Sequence, residues 1–433
     1  MNYDKDLNIK KLLSLLERGI TPFHAVDACV EQLKEAGFSE LSYNQVWNLK
    51  KGGRYYVNHH GSALFAFTIG TSYAKGQMLR MAAAHTDYPT LRLKPSPDFL
   101  TKGYAQLNVE VYGGPILNTW LDRPLGVAGR VAVRSANPFE PELLYFDSKK
   151  AILTIPNLAI HMNREVNKGV ELNPQSDMIP VLGLVEGGEA DASFFMDYLA
   201  KELQVKKDDI LDFELNVYCT EKPECIGISN DLLSSPRLDN LTSCEALVIA
   251  LAEARREEGV NLIQLADHEE VGSTSKQGAA SILLHDMTRR IMRSLGNSED
   301  EVDAAIYDAM MVSADVAHAI HPNKLSKADP MIQPVLGKGL CIKQAAGQTY
   351  ATDSETIAIF AGICEQADVP YQRFVNRSDM RGGSTLGAIA SALTPVKTID
   401  IGIPILAMHS ARELMGVEDI CSLTNAMCAY FSL

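Results

Sequence analysis

Residues 260–270 read VNLIQLADHEE, an apolar run that stops at Asp267 and is followed at once by His268, Glu269 and Glu270. Such a run predicts a short strand buried on both faces, as in a parallel sheet covered by helices. Three other stretches have the same form. MLRMAAA (78–84) runs into His85-Thr86-Asp87, MMVSA (310–314) into Asp315, and an isoleucine-rich run through Ile405 into His409. In open α/β sheets, ligands bind outside the carboxyl ends of the strands. Acids and histidines stand at those ends here.

Helix signals alternate with these strands. TPFHAVDACVEQLKEAG (21–37) has Thr21 as a cap, Pro22 in the first turn and Gly37 past the end, with Phe23, Val26, Val30 and Leu33 on one face. CEALVIALAEARREEG (244–259) precedes VNLIQLA, and GAASILLHDMTRRIMRSLG (278–296) precedes the Asp315 strand. From about 94 to 228 the character changes to short β-rich runs, YAQLNVEVYGG, GVAGRVAVRS, KAILTIP and DFELNVYCTE, with one helical stretch near 191–204. The expectation is an α/β fold with a mixed, mostly parallel sheet sandwiched by helices. Residues 1–93 and 229–433 form it, and a β-rich insertion over 94–228 interrupts it.

Composition narrows the function. A chain of 433 residues exceeds what one core usually supports, which agrees with two domains. A net charge of −14 argues against nucleic acid and anionic membrane as partners. The eight cysteines form no CxxC, and most lie in apolar stretches, as in a reduced, cytoplasmic protein. MNYDKDLNIKKLL has no signal-peptide core, and no apolar run reaches the roughly 18 residues of a membrane span.

Each candidate site residue has a plain reading beside its chemical one. In His85-Thr86-Asp87 the imidazole can ligate a metal while a carboxylate fixes its tautomer, or the triplet is only a turn. Two adjacent carboxylates, Glu269 and Glu270, are costly to cluster without a cation. One can ligate while the other moves a proton, or the pair is only a solvated acidic loop. Asp239, in SPRLDN ahead of an apolar helix, can cap that helix or bridge two metals about 3.5–4 Å apart. Asp315 and His409 are weak alone. Together with His85, Asp239 and Glu270 they make five ligands and leave one glutamate spare, the inventory of two divalent metals and a general base. His318, in SADVAHAIHPN, then becomes a substrate-contacting candidate. The glycines of MRGGSTLGAIASAL open a helix suited to a carbonyl or carboxylate. GxSxG, GxGxxG and GxxxxGK[ST] are absent.

HTDYPTLRLKP, IPNLAIHMNREVN, SPRLDN, HEEVGSTSKQGA, SADVAHAIHPN, KGLCIK, YATD, GGSTLG and AMHSARE occur in the order found in the aspartyl aminopeptidase family, which the chain resembles from about residue 10 to 430. The resemblance implies a zinc-peptidase α/β domain with an inserted dimerisation domain. It implies two metal ions per subunit, zinc with Mn or Co as alternatives: His85, Asp239 and Asp315 hold one, and Asp239, Glu270 and His409 the other. Glu269 is then general base and acid toward water placed between the metals, and Asp87 orients His85. His318, Lys343 and Tyr350 fall near the substrate, and His161 comes from a neighbouring subunit of a homo-oligomer, a dodecamer built from dimers.

Lys343 implies a preference for N-terminal Asp or Glu through a charge-assisted contact. Thr274, Lys276 and Met380-Arg381-Gly382 depart from the better-known members, and Arg381 is a further candidate for acidic recognition. Two alternatives stand beside this reading: a neutral-residue, leucyl-type aminopeptidase on the same scaffold, and a non-catalytic assembly protein.

Overall fold

A computed structural model describes residues 3–185, 193–380 and 382–433. Two compact units divide the chain. The first runs to Asp87 and resumes over Pro223–Met408 and Glu413–Leu433, and the second comprises Tyr88–Lys222 with His409–Arg412. The crossings thus fall at 87/88 and 222/223. A short segment near the C-terminus, expected in the α/β part, clusters with the insertion instead.

The first unit is built on a nine-stranded sheet. Its centre is four parallel neighbours in the spatial order Val260–Ala266, Leu79–His85, Met310–Ala314 and Lys397–Gly402. Ala63–Ile69 pairs antiparallel on one side of the four and Leu340–Lys343 on the other. The register places Ala266 opposite His85. The chain therefore leaves three adjacent strands at one edge, just where His85, Asp267–Glu270 and Asp315 follow.

The Leu238–Glu253 helix is buried at every position from Leu238 to Leu251, polar residues such as Glu245 included. It packs on the Leu79–His85 strand and on the C-terminal helix Val417–Ser432. Cys244 donates its thiol proton to the His85 carbonyl at 3.0 Å from within this helix. The helix expected at 21–37 spans Pro22–Glu35, with the Thr21 side chain accepting the His24 N–H. All eight cysteines are free thiols. Among the described residues no helix is long and apolar enough to cross a membrane.

The second unit is a six-stranded antiparallel sheet, ordered Glu142–Asp147, Leu125–Val133, Ile210–Cys219, Thr90–Thr101, Tyr104–Tyr112 and Val181–Leu184. Phe195 and Leu199 of the Phe194–Leu203 helix join its core. KAILTIP does not form the expected strand. It makes only single bridges, Leu125 to Leu153 and Thr154 to Val181, and Pro156 lacks the N–H that would extend them.

Candidate metal centre

His85 ends its strand with 1% of its surface exposed. Its Nδ1 lies 3.0 Å from the Asp87 main-chain carbonyl. A carbonyl can only accept, so the proton is on Nδ1 and the lone pair is on Nε2. That lone pair faces carboxylates: Asp239 Oδ1 at 3.4 Å and Asp315 Oδ1 at 3.6 Å. Acceptor facing acceptor is stable only with a proton or a cation between them. Burial alone would lower the imidazole pKa, but Asp239, Asp315 and Asp87 hold it well above its usual value.

The other donors come from turns that the sheet edge positions. After Ala266 the chain passes through His268, at φ 62°, into a 3-10 turn over Glu269–Val271. The N–H groups of Glu269 and Glu270 both donate to the Asp87 carboxylate, each at 3.1 Å. Asp87 was expected to orient His85 through its carboxylate. Its carbonyl is the closer partner, since Oδ1 stands 3.4 Å from Nδ1, and the carboxylate secures the glutamate turn.

Asp239 is no simple cap. It lies inside the assigned helix with non-helical backbone, as does Asn240. Its N–H donates to Glu413 Oε2 at 3.1 Å, and Asn240 Nδ2 donates to the Ala314 carbonyl at 2.8 Å. Asn240 thereby ties the Asp239 turn to the strand end that carries Asp315. Neither Asn240 nor Glu413 stood out in the sequence, although Glu413 closes the quoted AMHSARE. Asp267, equally unforeseen, is buried and accepts the His268 N–H at 2.8 Å.

Donor atoms of His85, Asp239 and Asp315 lie within 4.8 Å of one another, as do those of His85, Glu269 and Glu270. Burial, followed by Asp315, Asp87 and Asp239 acting against the relief from His85, pushes Glu269 up to about 8. Glu270 is raised well above its usual value, first by burial and then by Asp239. Four acids gathered beside one imidazole form a site that a divalent cation would satisfy.

His409 belongs to the second unit, at φ 67°. Its Nδ1 donates to the Gly114 carbonyl at 3.1 Å, which puts the lone pair on Nε2. His161 is exposed on a turn of the same unit, where the Ala159 carbonyl accepts the N–H groups of Met162 and Asn163.

Lys343, in the first unit, is 1% exposed. Its Nζ donates to the Val316 carbonyl at 3.1 Å and lies 3.7 Å from Asp315 Oδ2 and 5.0 Å from the Tyr350 ring centroid. Burial would lower its pKa, but Asp315, with Tyr350 and Asp400, raises it instead. Tyr350 and His318 both pack against Phe374, at 6.2 and 6.0 Å between ring centroids. His318, Phe374, Arg377 and Met380 line a groove of about 310 Å³. Thr385, just before the Leu386–Leu393 helix, spends its hydroxyl on Asp400 at 2.5 Å. Arg381 lies outside the described residues.

Buried acids and an imidazole gathered at the carboxyl ends of parallel strands make the donor set of a metal-dependent hydrolase. Comparison with known proteins agrees. The profile described as aminopeptidase I zinc metalloprotease (M18) matches residues 15–431. A probable M18 family aminopeptidase 2 from Clostridium acetobutylicum is 43% identical over 425 residues, covering 98% of each chain. A chain in the cryo-EM structure of the Ape4 and Nbr1 complex superposes with TM-score 0.94 at 34% identity, covering 99% of this chain and 86% of its own. The structure of the S. cerevisiae mApe1 dodecamer gives TM-score 0.84 at 25% identity, over 99% and 96%. The chain belongs to the M18 family of zinc metalloaminopeptidases. It is thus a hydrolase of the exopeptidase type, and the non-catalytic alternative falls away.

Proposed function

We propose that this enzyme removes N-terminal residues, Asp and Glu by preference, at a centre holding two divalent ions per subunit. The observation that carries the reading is the cluster of acids at the buried His85, with Asp239 and Asp315 facing its Nε2 and Glu269 and Glu270 close by. His85, Asp239 and Asp315 would hold one zinc, and Asp239, Glu270 and His409 the other, with Mn and Co also suited to such donors. Bound ions of this kind polarise the scissile carbonyl and lower the pKa of water to about 7.

The chain's own residues do the rest. Glu269 takes a proton from the attacking water and passes it to the amine nitrogen as the C–N bond breaks. Asp87 supports that step by holding the Glu269 and Glu270 main chain. His318 and Tyr350 stand beside the groove that receives substrate, and Lys343 supplies the cation for an acidic side chain.

Lys343 also supports the second reading, a neutral-residue aminopeptidase, because its ammonium already serves Val316 and Asp315. A panel of peptides with N-terminal Asp, Glu, Leu, Ala and Lys, with and without chelator, separates the two. Chelator-sensitive cleavage of Asp and Glu, with the Asp-to-Leu ratio collapsing in Lys343→Leu, is the expected result. Preference for Leu would discard the acidic pocket and keep the mechanism. No cleavage after metal is restored would overturn the reading.

A homo-oligomer, a dodecamer built from dimers, is part of the proposal. It rests on likeness to the mApe1 dodecamer and on the exposed apolar side chains Leu158, Ile160 and Met162 around His161. Mixing His161→Ala with Glu269→Gln under subunit exchange should restore turnover if His161 serves a neighbouring site. Continued inactivity would count against sharing. Eight free thiols support a cytoplasmic setting.

A further inference from the structure

His409–Arg412 clusters with the second unit, and one short stretch there, residues 114–119, makes several hydrogen bonds to it. The Gly114 carbonyl accepts from His409 Nδ1 at 3.1 Å. The Ile116 N–H donates to the His409 carbonyl at 2.9 Å. Thr119 Oγ1 accepts the Ala411 N–H at 2.9 Å and gives its own proton to the Ile116 carbonyl at 2.6 Å. Ala411 is buried in the core of this unit.

The clasp holds an unusual backbone. His409 has φ 67°, a left-handed conformation that residues with a side chain keep only when their surroundings impose it. Gly114 and Ile116 act through main-chain groups, which substitution leaves in place. The Thr119 hydroxyl acts through its side chain, and it joins both halves of the clasp.

We propose that Thr119 is a positioning residue for His409: its hydroxyl locks the 114–119 turn onto the 409–411 backbone and so aims the His409 Nε2 lone pair. The proposal rests on the reading of His409 as a zinc ligand. Outer partners of metal ligands typically change metal affinity about 10- to 100-fold when removed. The Thr119 hydroxyl should act on the ion held by His409 and spare the one held by His85.

The test is a zinc titration against a competing chelator on full-length wild type, Thr119→Val, Thr119→Ser and His409→Ala, with thermal unfolding recorded for each. Thr119→Val should stay folded and bind one zinc normally and the other about 10- to 100-fold more weakly. Thr119→Ser, which keeps the hydroxyl, should restore both. His409→Ala should lose the weaker zinc outright. Unchanged zinc affinities in Thr119→Val, with the second zinc lost in His409→Ala, would overturn the role of Thr119 and leave the ligand reading intact. Two tight zincs in His409→Ala would overturn the ligand reading and this proposal with it.

Discussion

His85 stands at the end of a strand paired in parallel on both sides, whereas His409, in the second unit, stands on a short segment fastened by a few hydrogen bonds to a turn of that same unit. Both imidazoles donate Nδ1–H to a main-chain carbonyl, so both present Nε2. They differ in what resists displacement. Moving His85 would break sheet pairing and the packing of the largely buried helix behind it. Moving His409 breaks two or three local bonds. His85 should therefore be held as in a rigid frame, and the His409 segment, within its own unit, should be the more adjustable.

Three further experiments probe the frame, the largest effect first. Glu269→Gln should lower kcat by roughly 10²- to 10⁴-fold while zinc content stays at the wild-type level by elemental analysis. Near-normal turnover would remove Glu269 from the mechanism. Asp87→Ala frees the Glu269–Glu270 turn but leaves the carbonyl that holds His85. A loss in kcat of about 10- to 100-fold, with zinc at His85 retained, is expected. Loss of that zinc would show that the frame depends on the Asp87 side chain.

The smallest effect concerns Glu245, buried in the helix behind His85 with Gln32 Nε2 donating to it at 2.8 Å. Burial raises its pKa from an ordinary 4.5 to about 7, against smaller lowering effects from Gln32 and Lys11. The folded state thus keeps a proton that the unfolded chain releases, so stability from this group is complete below about pH 4.5 and lost as pH rises to about 7. Glu245→Gln mimics the protonated form. It should match wild type near pH 4.5 and exceed it at pH 8 by about 3 kcal/mol in urea unfolding. An offset independent of pH would sever Glu245 from the pH response of the frame.

What was legible in the sequence follows the same division. His85, Glu269, Glu270 and Asp315 could be found because each directly follows an apolar strand, and strand ends are written in local pattern. Asp239 resembled a helix cap, because nothing local reveals that residues 239 and 240 leave helical geometry inside the helix. Asn240 and Glu413 were invisible for a related reason. Their partners, the Ala314 carbonyl and the Asp239 N–H, are main-chain groups far away in the sequence. The same holds for the 409–412 segment, whose neighbours are almost 300 residues upstream. Lys343 was readable as a cation after a strand, but its commitment to Val316 and Asp315 was not.

The clasp on His85 is made by the carbonyl of Asp87, and every residue type carries a carbonyl. A descendant of this chain could change residue 87 and keep its imidazole aimed, while the glutamate turn, tied to the carboxylate, would drift. The aim of the imidazole and the placement of the glutamate turn are thus heritable separately, although a single residue serves both. Mutation at this position can loosen the glutamates before it turns the imidazole.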